Sequence, residues 1–198
     1  IRHPHKLAPI IGAFHHWNKK YIGAQKKSPK KAYLVYTDFD HKIPFKPDYD
    51  LVYIRIISQL LKVCSESAHQ ITAQQMKFFG QCFKDMNEVT AKSFKRYQTT
   101  TPRFHDHDRL ALRVVQHADE PINSCPSIHI SYSVFLYNMS KYALNLPKEN
   151  PTLWKEVDHV CTEMFNSVLY TKQHACIDLS FGMAVAHKVF TKRFKNLP

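Results

Sequence analysis

The sequence predicts an all-α domain, and three observations lead there. Apolar residues recur at three- and four-residue steps along most of the chain, as a helical repeat requires. No Asn-Gly or Asp-Gly dipeptide offers a tight hairpin turn, and Gly12, Gly23, Gly80 and Gly182 stand isolated. Prolines fall between the periodic stretches, where helices start and stop.

Taken in order, Leu51, Ile54, Ile57, Leu60 and Leu61 predict a helix over about 49–64. Phe78, Phe79, Cys82 and Phe83, after the polar Gln74 and Gln75, predict a second over about 69–97. Pro126 and Ser127 start a third that runs to about Leu146, stopped by Pro147, and a fourth follows Pro151 towards Tyr170. The last spans about 172–194. Such segments close into a compact bundle of about six helices. Two long connections, 23–48 and 99–126, interrupt the order, and long loops in a compact domain usually carry function.

The 198 residues suit one domain over 1–198. Lys and Arg number 28 against 16 Asp and Glu, a net charge of +12 with the 13 histidines neutral, so an anionic partner is expected. Hydrophobic residues at 44% exclude a disordered basic tail. The apolar runs at 51–63 and 177–189 are broken by Arg55, Gln59, Ser180 and His187, short of the roughly 18 uninterrupted residues of a membrane span. A soluble or peripheral protein is therefore expected. The chain opens at Ile1 without Met, which leaves room for a trimmed leader, so the compartment stays open. Its five cysteines are odd in number and widely spaced, as free thiols in a reducing compartment would be.

The second long loop ends at Cys125-Pro126-Ser127-Ile128-His129, where Ser127 at a helix N-cap leaves backbone N–H groups facing outward as an anion site. Further on, His174 and Asp178 are four apart, so on a helix Asp178 could hold one ring nitrogen while the other attacks. Arg96 and Arg103 flank the start of the same loop. Two guanidiniums, a helix N-terminus, an oriented histidine and a second histidine are the parts for phosphoryl transfer without a metal.

The order Arg96-x6-Arg103, Pro126-Ser127-Ile128-His129, then Ser167 through His174-x3-Asp178 resembles the type 2 phosphatidic acid phosphatase superfamily, with its K-x6-R-P, P-S-G-H and S-R-x5-H-x3-D motifs. Tyr36-Thr37-Asp38 with Ile43-Pro44-Phe45-Lys46-Pro47 is similar to the D-x-x-I-P-F-x-P segment of its lipid phosphotransferase branch, which includes inositol phosphorylceramide synthases. The resemblance covers about 36–186. It implies a helical core shared with vanadium haloperoxidases, His174 as a nucleophile that forms a phosphohistidine, Asp178 as its orienting partner and His129 as the acid for the leaving oxygen. Arg96, Arg103 and Ser127 would bind phosphate, and no cofactor or metal is expected. The departures are Arg96 for Lys, Phe104 for Pro, Ile128 for Gly and Val168 for Arg. Lys172 is a candidate substitute for that last cation, but on a helix it points about 200° away from His174.

Plainer readings stand beside these. His174 with Asp178 alone would be a helix-surface pair. His105-Asp106-His107-Asp108 reads as a solvated loop rather than a metal site. The lysines from Lys26 to Lys31 read as a solvated face or a contact with an anionic membrane surface. Cys125 reads as a packing residue. The main functional expectation is a phosphatase acting on a phosphate monoester, a lipid phosphate first among them. A phosphotransferase to an alcohol acceptor is the close rival, a vanadium haloperoxidase the third reading. A basic nucleic-acid-binding module would explain the charge but not the ordered site residues.

Overall fold

A computed structural model describes residues 4–25, 32–118 and 122–194. Lys26, Lys27, Lys30 and Lys31 lie outside the described residues. Among those described the chain is helical almost throughout, with nine α-helices and one pair of two-residue strands.

Helix α1 (Pro4–Gln25) was not evident in the sequence pattern, where Pro9 falls in its interior. Leu7, Ile10 and Ala13 recur at three-residue steps and bury against α4, with Phe14 and Trp17 beside them. The connection 23–48 holds strand β1 (Tyr33–Leu34) and helix α2 (Asp38–Lys42). Thr37 and Asp40 form a capping box at the start of α2, and a 3-10 turn (Pro47–Tyr49) leads into α3 (Asp50–Glu66).

Helix α4 (Ala73–Arg96) starts at Thr72 through a capping box with Gln75, later than the predicted 69. The connection 99–126 is not a plain loop. It carries strand β2 (Thr99–Thr100), parallel to β1, and a short helix α5 (Leu110–Ala118) whose Leu110 and Val114 stay exposed.

The predicted helix 127–146 is three pieces: α6 (Ile128–Asn138), a π-helical turn (Met139–Ala143) and α7 (Leu146–Glu149). Asn145 at φ 50° breaks the helical path, and Pro147 opens α7 rather than ending its predecessor. Helix α6 is the centre of the domain. Ile128, Ile130, Tyr132, Phe135 and Leu136 are buried around its circumference, and it touches α3, α4, α8 and α9.

Helix α8 (Pro151–Tyr170) is capped by Asn150 and followed by α9 (Cys176–Phe194), which begins four residues later than predicted. Lys172 adopts φ 55°, and the amides of Gln173 and His174 both bond Val168 O, which closes α8 with a tight turn. At the seam of α6 and α9, Ser131 Oγ donates to Gly182 O at 2.9 Å. A Cβ on Gly182 would lie 2.5 Å from Ser127 O, so glycine is what lets the two backbones meet.

Candidate active site

His174 and Asp178 meet, though not on one helix face. Asp178 sits in the first turn of α9, and its Oδ2 accepts the Ala175 N–H at 3.0 Å and lies 3.3 Å from His174 Nδ1. Acidic residues favour such positions because they satisfy N–H groups the helix leaves unpaired. His174 itself precedes the helix, and with Nδ1 on the carboxylate its Nε2 is the ring nitrogen left to react. The pair is buried, His174 at 7% exposure and Asp178 at 0%, rather than lying on a helix surface.

His129 stands in the first turn of α6, its ring 4.0 Å from that of Tyr53 and 6.0 Å from that of His174. Both histidines line a small cavity of about 30 Å³, room for roughly two waters. Arg103 lines it too, its Nη1 donating to Gln116 O at 3.3 Å. Tyr21, Tyr53 and Phe94 supply apolar wall. The N-termini of α6 and α9 lie side by side, Ser127 N donating to Asp178 O at 3.0 Å, so two positive dipole ends face this region.

Three of the phosphate-binding candidates take different places. Only Arg103 borders the cavity. Arg96 is exposed in the last turn of α4, short of the strand that separates it from Arg103. Ser127 is buried as the N-cap of α6, its Oγ accepting the Ile130 N–H at 3.4 Å. Val168 is buried in the core where the family motif has Arg. Lys172 does not replace that cation. Its Nζ donates to Asp40 O and Ile43 O, away from the cavity.

Asn123 and Gln173 were not singled out in the sequence, yet both are buried against the cavity. Among the described residues, both amide atoms of Asn123, Gln173 Oε1 and His129 Nδ1 find no hydrogen-bond partner. Buried polar atoms are rarely left so, and these four at the cavity are available to water or to a polar guest. Asn123 at φ 67° belongs to the small class of residues that tolerate left-handed backbone, the one signal the sequence held. The connection 99–126 builds this wall. Thr99 Oγ1 accepts Cys125 N–H at 2.8 Å and Ser124 Oγ–H at 3.0 Å, and Thr101 Oγ1 donates to Gln173 O at 3.3 Å.

The Cys125 thiol is pushed up to about 12 by burial and by the Asp178 carboxylate beside it, which leaves it a packing group. All five cysteines are free thiols. His107 lies 3.3 Å from Gln116 Oε1 and packs on Phe45, and among the described residues no group of three His, Cys, Asp or Glu side chains gathers as a metal site requires.

Burial, and the neighbouring His174, push His129 down to about 3. A histidine that unfolds to its ordinary pKa near 6.5 then binds a proton in the unfolded state first. Stability conferred by neutral His129 is full above that pH and falls as pH drops from about 6.5 towards 3, by about 1.4 kcal/mol per unit. His129→Phe, which keeps the stacking on Tyr53, is expected to flatten the urea-unfolding stability profile across this window relative to the unmodified protein. Equal slopes for the two would rule out an uncharged His129. Set against protein-family models, curated proteins and solved structures, the chain matches none, and the site is read on its own geometry.

Proposed function

We propose that the chain is a metal-independent phosphatase of the type 2 phosphatidic acid phosphatase kind, acting on a lipid phosphate monoester through a phosphohistidine. The reading rests on one observation: His174, held by Asp178, borders the same small cavity as His129 and Arg103. The cavity is too small for an alkyl chain, so only the phosphoryl end of the substrate would enter it and the chain would lie outside.

His174 Nε2 forms the bond to phosphorus while the phosphorus–oxygen ester bond breaks. Asp178 holds the Nδ1 proton and stabilises the positive charge the ring gains. Arg103, Asn123 Nδ2 and the N–H groups at the start of α6 receive the phosphoryl oxygens. The leaving oxygen takes a proton from His129. Water then attacks phosphorus, His129 accepts its proton, and phosphate and free His174 are released.

Burial keeps His129 unprotonated in the empty cavity, so its proton arrives with the substrate. A phosphate monoester monoanion, which gives way to the dianion near pH 6, carries one. kcat/KM for an alkyl phosphate is therefore expected to fall as pH rises above about 6. For p-nitrophenyl phosphate, whose phenolate leaves without a proton, the fall is shallower. A kcat/KM for the alkyl ester that rises steadily to pH 9 removes His129 as the acid.

The function itself is tested with a panel of phosphate esters including phosphatidic acid, assayed for phosphate release in excess EDTA. Release is expected to persist under chelation and to be inhibited by orthovanadate, whose adduct mimics the five-coordinate transition state. Activity that vanishes in EDTA and returns with one added divalent ion overturns the reading.

A further inference from the structure

Among the described residues Asp40 is one of the most buried acids, at 2% exposure, and the mechanism above does not use it. Its Oδ2 accepts Thr37 N–H at 2.9 Å and Thr37 Oγ1–H at 2.6 Å, and its Oδ1 accepts the Cys176 N–H at 2.7 Å. The last bond crosses from residue 40 to residue 176 and ends on the first residue of α9. Lys172 makes the return link, its Nζ bonded to the carbonyls of Asp40 and Ile43 and 5.4 Å above the Tyr36 ring. The strip 172–178 is thus held on both sides of His174 by the segment 36–43, and at Ala175 by Asp178.

We propose that Asp40 is the positioning residue of His174: by fixing the Cys176 N–H it sets the start of α9 and so the distance between His174 Nδ1 and Asp178. That distance, 3.3 Å, has little slack before the bond is lost. Without Asp40 the Cys176 amide loses its acceptor, the first turn of α9 frays, and His174 turns off Asp178. As to catalysis, the proposal rests on the nucleophile reading. As to geometry, it does not.

The test is the His174 ring tautomer, read by two-bond nitrogen–proton correlation on 15N-histidine-labelled protein, with the His174 signals identified by their loss in His174→Gln. The unmodified protein is expected to show the proton on Nδ1. In Asp40→Asn, whose amide cannot accept at both of its ends, the signature should shift towards the Nε2 form that free imidazole side chains favour. Where phosphate release is measured, kcat should fall about 100-fold with KM little changed, as for a misplaced reacting group. If Asp40→Asn fails to fold, Lys172→Met removes the return link while leaving the carboxylate, and the same shift is expected. An unchanged His174 signature in a folded variant overturns the proposal. A signature that depends on Asp40 in a protein that hydrolyses no phosphate ester upholds the positioning and overturns the phosphatase reading.

Discussion

His174→Gln is expected to lower phosphate release by at least roughly 10,000-fold, the scale on which removing a nucleophile acts. Glutamine fits the space and keeps an N–H able to reach Asp178, but it offers no nitrogen lone pair to phosphorus. The choice of variant matters because His174 is buried and shares its carboxylate partner with the Ala175 amide and the neighbouring Cys125 thiol. His174→Ala would leave Asp178 short of a donor and cost about 1–3 kcal/mol for that alone. Its lost turnover would be confounded with lost fold. With glutamine, a thermal midpoint within a few degrees of the unmodified protein and phosphate release at background are the paired results that assign the nucleophile. Retention of a tenth of the activity on the best ester excludes it.

The second large effect is on stability. Gly182→Ala puts a methyl group 2.5 Å from Ser127 O and 3.1 Å from Ile130 Cβ, both on α6 or its cap. Backbone cannot yield as a side-chain tip can, so α6 and α9 must part, at a cost of about 3 kcal/mol. The Ser131–Gly182 and Ser127–Asp178 bonds cross the same seam and stretch with it. His129 and His174 stand on opposite sides of that seam, so the proposed phosphate release is expected to fall with stability. Gly12→Ala is the control. Beyond the backbone of α1 itself, no atom of the described residues lies within 4 Å of its added methyl, and alanine there should stabilise α1 by up to about 1 kcal/mol. Urea midpoints that move alike for the two variants would show that the close approach at Gly182 is not what sets its residue.

Helices α3, α4 and α8 were legible to within a few residues because each carries a repeating apolar face, and Pro151 marks the start of α8. Helix α1 was not, since Pro9 masks a repeat that only burial against α4 makes decisive. Helix α5 buries too little to write a pattern. The spacing of His174 and Asp178 was read as one helix face, but a carboxylate at the third position of a helix reaches back to the same place. His129, His174, Asp178 and Arg103 could be named from order and spacing. Asn123 and Gln173 could not, because their place at the cavity arises only when distant segments pack; Asp40 fits the D-x-x-I spacing before Ile43, but its bond to Cys176 is visible only in the fold.

Helix α6, enclosed by four other helices, also bears on the order in which the molecule opens. Amide exchange measures the free energy of each local opening, and a helix with no fully exposed residue, packed against four others, has few openings cheaper than disruption of its neighbours. α1 and α5 can fray at the periphery while α6 keeps its hydrogens. His129 rides on that most protected element, whereas His174 hangs on a turn fastened by a few side-chain bonds. The two walls of the cavity thus differ in how often they let go, and thermal fluctuation reaches the His174 side first.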